Sequence, residues 1–324
     1  VESFLLLTLI ATAVTFFLTR WLAVYLKRAG VVGEDVHKKG KPALPTSGGV
    51  PVFLGFFFSV MFYLFLLTYY FRVKVADMLA ILAGTLSILV ITFIGFLDDI
   101  NVKGALRKGL EQWQKPLLSL PAALPLMAVE LGTTAMVVPF VGLVNFGLAY
   151  PLVLVPLGVM CAANMVNLLG GLNGLESGGG IIYLTALALF AYQNSNLAAK
   201  VIAFAALGAV LGFFPFNKFP AKMLPGDSLT YFLGGVLANL AIIGDIEKAC
   251  LVVALPFLAE VLLKLRGRLK KPTVGLLKGD KIVKRTSGIY SLPHFWMNGK
   301  FTEAQIVLRV WAVFAISSLL IWVV

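Results

Sequence analysis

Ala76-Asp77-Met78-Leu79-Ala80-Ile81-Leu82-Ala83-Gly84-Thr85-Leu86-Ser87-Ile88-Leu89-Val90-Ile91-Thr92-Phe93-Ile94-Gly95-Phe96-Leu97 is one long apolar run, and Asp98-Asp99-Ile100-Asn101 follows it at once. About 20 such residues are enough for a helix to cross a hydrocarbon layer of ~30 Å. A backbone inside lipid must satisfy its own hydrogen bonds, which leaves helices or a closed barrel. The run is continuous rather than alternating, which selects a helix. Two adjacent carboxylates then stand where that helix leaves the membrane. Charges in such a place usually mark an ion, proton or substrate site, and simple interfacial solvation is the plainer alternative.

Similar runs recur on both sides. The spans read as about 3–26, 49–71, 76–97, 115–131, 150–168, 179–193, 197–214, 227–243, 246–264 and 304–324. The chain is 60% hydrophobic and 13% charged over 324 residues, with mean hydropathy +0.94. The expected fold is therefore an all-α integral membrane protein with about ten transmembrane helices, a single polytopic domain over 1–324 without domain-scale repeats. The first apolar segment lacks a basic start and a small-residue cleavage site, so it is expected to be a retained helix.

The net charge is +12. In a soluble protein this would suggest nucleic acid, but here loop bias and anionic ligands or headgroups explain it better, and nucleic acid is not an expected partner. The segments after odd-numbered spans, including Lys103, Arg107 and Lys108, hold 21 of the 27 Lys+Arg, against 4 after even-numbered spans, among them Arg72. Odd loops are thus expected to be cytoplasmic, both termini outside, with cytoplasmic loops at 27–48, 98–115, 164–178, 214–227 and 265–303. Cys161 and Cys250 lie in apolar runs without metal or disulfide spacing.

The third of these loops is unusual. Asn164-Met165-Val166-Asn167 through Asn173-Gly174-Leu175-Glu176 sets three asparagines among glycines between two apolar runs. Amides can meet a phosphate, a base edge or a metal-bound water at less cost than charges. A glycine-rich turn alone does not need Asn164 and Asn167 one helical turn apart. Gly226-Asp227-Ser228 adds a carboxylate at the start of another span, where Asp227 could also merely cap the helix. The first loop, Gly33-Glu34-Asp35-Val36-His37-Lys38 onward, reads as a solvated juxtamembrane face. The segment 132–149, broken by Pro139, reads as an outer hairpin or loop without chemistry. Residues 273–286 read as a β-hairpin turning at Gly279-Asp280, a small cytoplasmic hairpin in the last loop. His294 reads as a packed or interfacial histidine, and Thr302 with Gln305 as a capping box.

Asp98, Asp99, Asn164, Asn167, Asn173 and Asp227 all fall at cytoplasmic ends of spans, with Lys115, Arg266 and Arg268 nearby in topology. Hard oxygen groups without thiolate or histidine clusters suit Mg²⁺ or Mn²⁺. Fixed cations beside them suit a phosphate or pyrophosphate. There is no G-x-x-x-x-G-K-[ST] loop for an ATP-driven engine. The residues alone lead to a metal-dependent reaction on a phosphorylated substrate at the cytoplasmic face. A lipid flippase or transporter is the rival from another class, and it would place its acids near the bilayer midplane.

Phe96-Leu97-Asp98-Asp99, Asn164-x-x-Asn167 through Asn173-Gly174-Leu175-Glu176, and Gly226-Asp227-Ser228 together resemble the polyprenyl-phosphate N-acetylhexosamine-1-phosphate transferases. The Asn-Gly-Leu-Glu ending and Arg266-Gly267-Arg268 look most like the eukaryotic and archaeal dolichyl-phosphate N-acetylglucosaminephosphotransferases. The histidine-rich motif of the bacterial muramoyl-pentapeptide enzyme is missing. The resemblance implies Mg²⁺-dependent transfer of N-acetylglucosamine-1-phosphate from UDP-N-acetylglucosamine to a dolichyl (polyprenyl) phosphate, releasing UMP. That reaction is the first step of lipid-linked oligosaccharide synthesis for N-glycosylation. Another polyprenyl-phosphate sugar-1-phosphate transferase, of cell-wall or O-antigen type, is the nearer alternative.

By matching position the resemblance gives Asn167 and Asp227 to the metal, and Lys115, Arg266 and Arg268 to phosphate oxygens. Asn173 falls to the nucleoside, Asp98 and Asp99 to the acceptor phosphate and metal, with Asn164 and Glu176 among the substrate-binding residues. It implies an archaeal plasma membrane or endoplasmic reticulum, with a homodimer as a candidate assembly.

Overall fold

The computed structural model describes residues 2–71, 74–100, 110–138 and 141–323. Arg72, Asn101, Lys103, Arg107, Lys108 and Pro139 lie outside the described residues. In chain order the helices are α1 Glu2–Arg28, α2 Gly49–Leu66, α3 Val75–Ile100, α4 Gln114–Ser119, α5 Leu124–Ala128, α6 Val155–Leu168, α7 Leu175–Asn194, α8 Leu197–Asn217, α9 Gly226–Gly244, α10 Glu247–Val253, α11 Leu255–Arg266 and α12 Glu303–Leu319. Among the described residues three antiparallel hairpins join them: β1 Val32–Glu34 with β2 Ala43–Pro45, β3 Ala135–Val138 with β4 Gly142–Asn145, and β5 Leu276–Lys278 with β6 Lys281–Val283. The last turns at Gly279-Asp280, where the sequence pattern put it, with Gly279 at positive φ as a tight turn requires.

Among the described residues, eight helices are long and apolar enough to cross a membrane, in agreement with eight of the ten expected spans. The other two expected spans are broken. The run over 115–131 becomes α4, a 3₁₀ turn over Leu120–Ala123 and α5, because Pro121 and Pro125 each start a new segment rather than continue the old one. The run over 246–264 splits into α10 and α11, the break falling at Ala254 ahead of Pro256. Proline lacks the N–H of an internal helical bond and clashes with the preceding turn, but fits a first turn well.

α9 is the most buried of the long helices and packs against α3, α6 and α8. α1 closes the bundle against α8 and α2, and leaves Leu5, Leu9, Phe17 and Trp21 exposed on the outside. Lipid tails are as apolar as leucine, so helix association inside a membrane relies on close packing and interhelical hydrogen bonds. The α1–α8 contact shows both. Thr8 Oγ1 donates to Phe204 O at 3.1 Å and Thr12 Oγ1 to Gly208 O at 2.9 Å. A Cβ at Gly208 or Gly212 would strike the carbonyl oxygen of Thr8 or Thr12, so only glycine allows this approach. Asn239 Nδ2 donates to Ser87 Oγ at 3.1 Å between α9 and α3.

The polar loops gather at one end of the bundle. The ends of α3 and α6, the starts of α4, α7, α9 and α12, and the β1–β2 loop all meet there through side chains. At the other end, Ser195 Oγ donates to Gly244 O at 2.8 Å and Thr133 N to Asp245 Oδ1 at 3.1 Å.

Candidate active site

The site is built around the start of α9. This helix follows Pro225 and has no side-chain cap of its own. Asp99, on the last turn of α3, does the capping from outside: Oδ1 accepts Asp227 N at 2.7 Å and Oδ2 accepts Ser228 N at 3.2 Å. A carboxylate there satisfies two otherwise unpaired N–H groups and complements the positive end of the helix dipole. Gly226 has φ +68°, and a Cβ on it would run into the Asp99 carboxylate. The reading of Asp227 as a simple cap is therefore replaced. Asp99 caps, and Asp227 is free to face the cleft.

Asp227 meets a lysine and an amide. Lys115 Nζ lies 2.6 Å from Asp227 Oδ2 and 2.8 Å from Asp98 Oδ2. Asp98 Oδ1 accepts Leu110 N at 2.5 Å, so both of its oxygens are engaged. Lys115 sits in the 98–115 loop segment, outside the eight long helices. Burial opposes its charge, but Asp227 and Asp98 outweigh that and hold its pKa well above the usual lysine value. Asn167 Nδ2 donates to Asp227 Oδ2 at 3.0 Å, while Thr230 Oγ1 donates to Asn167 Oδ1 at 2.7 Å. Asn164, one turn earlier, does not line the cleft. Its Nδ2 donates to Ser119 Oγ and Met160 O at 3.1 and 2.8 Å, and its Oδ1 accepts from Tyr231 at 3.2 Å, tying α6 to α4 and α9.

Asp99, Lys115, Asn167 and Asp227 line a cleft of about 610 Å³, together with Asn173, Glu176 and, from the first loop, Glu34, Asp35 and Thr46. Glu176 is buried: Oε1 accepts Gly171 N at 2.7 Å and Oε2 has no hydrogen-bond partner among the described residues. Gly174, at φ +83°, turns the chain into α7.

The first loop is a solvated face only in part: Lys39, Gly40 and Lys41 are exposed, but two residues beside them are not. Asp35 and His37 are only 5% and 3% exposed. Asn173 Nδ2 donates to Asp35 Oδ2 at 2.9 Å, and Gly275 N donates to His37 Nε2 at 3.1 Å. The acidic pair and histidine inside a basic loop were the available signal, but local sequence cannot show that a distant turn folds over them.

The last loop also differs in detail. Arg266 and Arg268 are exposed and do not line the cleft, whereas Lys264, Lys270, Lys271 and Thr273 do. Two residues along an α-helix is about 200° around it, so Arg266 faces away when Lys264 faces in. Lys264 Nζ donates to Thr273 Oγ1 at 2.7 Å and Lys271 O at 3.1 Å, fixing that wall. His294 is packed, as its isolation in sequence implied. Its Nδ1 accepts Tyr290 N at 3.2 Å, which leaves Nε2 to donate to Thr273 O at 3.0 Å, and burial lowers its pKa.

Among the described residues, no three His, Cys, Asp or Glu side chains form a metal cage. Asp227 and Asn167 stand side by side on the cleft wall, where Asn167 donates from Nδ2 to Asp227 and accepts from Thr230 at Oδ1. With that amide turned over, it would set an oxygen beside the Asp227 carboxylate for an ion that completes its shell with water and phosphate oxygens. The arrangement fits magnesium better than a soft metal.

Fold and site together define a multi-pass helical membrane protein with a polar cleft at one end of its bundle. Residues 79–245 match the family model described as "Glycosyl transferase family 4". A provisionally named UDP-N-acetylglucosamine–dolichyl-phosphate N-acetylglucosaminephosphotransferase from Saccharolobus solfataricus is 33% identical, covering 98% of this chain and 97% of that protein. A second of that provisional name, from Sulfolobus acidocaldarius, is 32% identical over 95% of this chain and 92% of its own length. The phospho-N-acetylmuramoyl-pentapeptide-transferase of Halalkalibacterium halodurans is 32% identical over 96% and 94%. The chain belongs to glycosyl transferase family 4 and is an enzyme of sugar-phosphate transfer.

Proposed function

We propose that this enzyme transfers N-acetylglucosamine-1-phosphate from UDP-N-acetylglucosamine to a membrane dolichyl (polyprenyl) phosphate, releasing UMP, as the first step of lipid-linked oligosaccharide synthesis for N-glycosylation. The observation that carries the reading is Lys115 held between Asp98 and Asp227, beside Asn167, on the wall of the cleft. The names of the archaeal relatives support the substrates. The loop charge bias, 21 against 4, supports a cleft on the cytoplasmic face with both termini outside.

The acceptor phosphate attacks the phosphorus that carries the sugar. A new P–O bond to the lipid phosphate forms as the bond to the bridging oxygen breaks, and that oxygen leaves with UMP. A phosphate monoester has its second pKa near ~6, so the acceptor is mostly dianionic at neutral pH and needs no strong base. Catalysis then rests on bringing two anions into line and neutralising their charge. Lys115 supplies a fixed cation. Asp98 holds that cation with one oxygen and the Leu110 N–H with the other, which suits positioning rather than proton removal.

Lys264, Lys270 and Lys271 take the cationic role in the cleft wall that the resemblance gave to Arg266 and Arg268. Asn173 and Glu176 meet the donor further along the cleft. Asn167 and Asp227 would hold Mg²⁺, which when bound neutralises pyrophosphate charge.

The bacterial relative favours a second reading, transfer of a muramoyl-pentapeptide phosphate. One experiment separates the two. Purified protein with Mg²⁺ and dolichyl phosphate should release UMP from UDP-N-acetylglucosamine and leave UDP-muramoyl-pentapeptide untouched. The converse result would establish the second reading, and release from neither donor would remove both.

A further inference from the structure

Glu303 is nearly buried at the start of α12, and four donor groups on three residues of two other segments converge on it. Oε1 accepts Asn173 N at 2.8 Å, and Oε2 lies 3.4 Å from Asn173 Nδ2 and 2.8 Å from Lys38 Nζ. Asp35 Oδ2 accepts the same Asn173 Nδ2 at 2.9 Å. His37 completes the set: its Nε2 accepts the Gly275 N–H, so its proton is on Nδ1, which faces Glu303 Oε1 at 3.5 Å. Lys38 balances the two acids, 2.8 Å from Glu303 and 3.8 Å from Asp35, and rests over the Phe219 ring at 3.7 Å.

The consequence falls on Asn173. An amide has two faces, NH₂ as donor and C=O as acceptor, and a free side chain can present either. Ionised carboxylates only accept, so Asp35 and Glu303 compel the Asn173 nitrogen to point at them. Its carbonyl oxygen is then the group left for the cleft that Asn173 lines. We propose that Glu303, with Asp35, is a positioning residue that fixes the Asn173 amide with its acceptor oxygen toward the donor substrate, where it receives an N–H or O–H. On a uridine nucleotide that donor is the base imide N–H or a sugar hydroxyl. This rests on the transfer reaction proposed above.

The test is steady-state UMP release by Glu303→Gln, Asn173→Ala and the double variant. Glutamine at 303 presents a donor as well as an acceptor, so the amide orientation loses its constraint. The expected result is a KM for UDP-N-acetylglucosamine raised about tenfold in each single variant, with the KM for dolichyl phosphate unchanged. The double variant should be no worse than Asn173→Ala, since Glu303 acts through that residue. Glu303→Asp should recover part of the loss. Should Glu303→Gln lose thermal stability, Asp35→Asn carries the same test from the other side of the amide.

Additive losses, or equal rises in the KM of both substrates, would overturn the proposal and leave Glu303 a structural brace. Inhibition by N3-methyl-UMP separates the two donors: weakening against UMP in the wild type but not in Asn173→Ala assigns the imide. Equal inhibition of wild type by the two nucleotides assigns a hydroxyl. Wild-type protein that releases no UMP would instead remove the reaction itself.

Discussion

Asp99, at the end of one helix, accepts the Asp227 N–H at 2.7 Å and so caps another helix from outside it. This single contact separates the roles of two carboxylates that sequence makes look alike. Asp99 serves the backbone, and Asp227 faces Lys115 and Asn167.

Asp99→Asn keeps one acceptor oxygen but places an NH₂ against a backbone donor. It should cost about 1–2 kcal/mol of stability, as loss of a good cap does, and lower turnover by displacing Asp227. Thermal unfolding in detergent and UMP release should fall together.

Asp227→Asn should behave differently. It removes the charge opposite Lys115 without touching the cap, so turnover should be abolished while the unfolding temperature stays close to wild type. Full activity with unchanged Mg²⁺ dependence would take Asp227 out of the chemistry.

Asp98→Asn should retain measurable turnover, and the acidic limb of its rate profile should still follow the acceptor phosphate near pH ~6. Lys115 cannot supply that limb. Its pKa is raised, so it stays cationic through neutral pH and loses charge only as pH climbs beyond the ordinary lysine range. A wild-type limb that vanishes in Asp98→Asn would make Asp98 the base.

Lys264→Met should impair UMP release more than Arg266→Lys and Arg268→Lys combined. Lys264 lines the cleft and holds Lys271 and Thr273, whereas both arginines are exposed outside it. Removing a buried charged hydrogen-bond donor costs roughly 1.5–3 kcal/mol, and conserving charge at an exposed site costs little. A larger effect from the arginine pair would mean that the loop closes over the donor in a different arrangement.

Single cysteines placed in 27–48 and 265–303 should resist an impermeant thiol reagent added outside intact cells, with Cys161 and Cys250 replaced. The basis is the 21-to-4 loop bias. Ready labelling of both segments would invert the orientation.

The sequence alone determined the membrane helices, because twenty apolar residues in succession have one stable arrangement in lipid and need no distant partner to adopt it. It also located Asp98, Asp99, Asn167, Asn173, Asp227 and Lys115, since polar residues at span ends stand out against so apolar a background. Hydropathy reads each of the two broken spans as continuous; their prolines stand in the sequence, but whether a proline starts a new segment or only bends the old one depends on its neighbours. Tertiary structure decided what each polar group touches. Asp99 as a cap joins residues 128 apart, and Glu303 reaches Asn173 across 130. The burial of Asp35, and of Lys264 in place of Arg266, followed from packing, because hydrogen bonds between distant segments have no local spacing in the chain to reveal them.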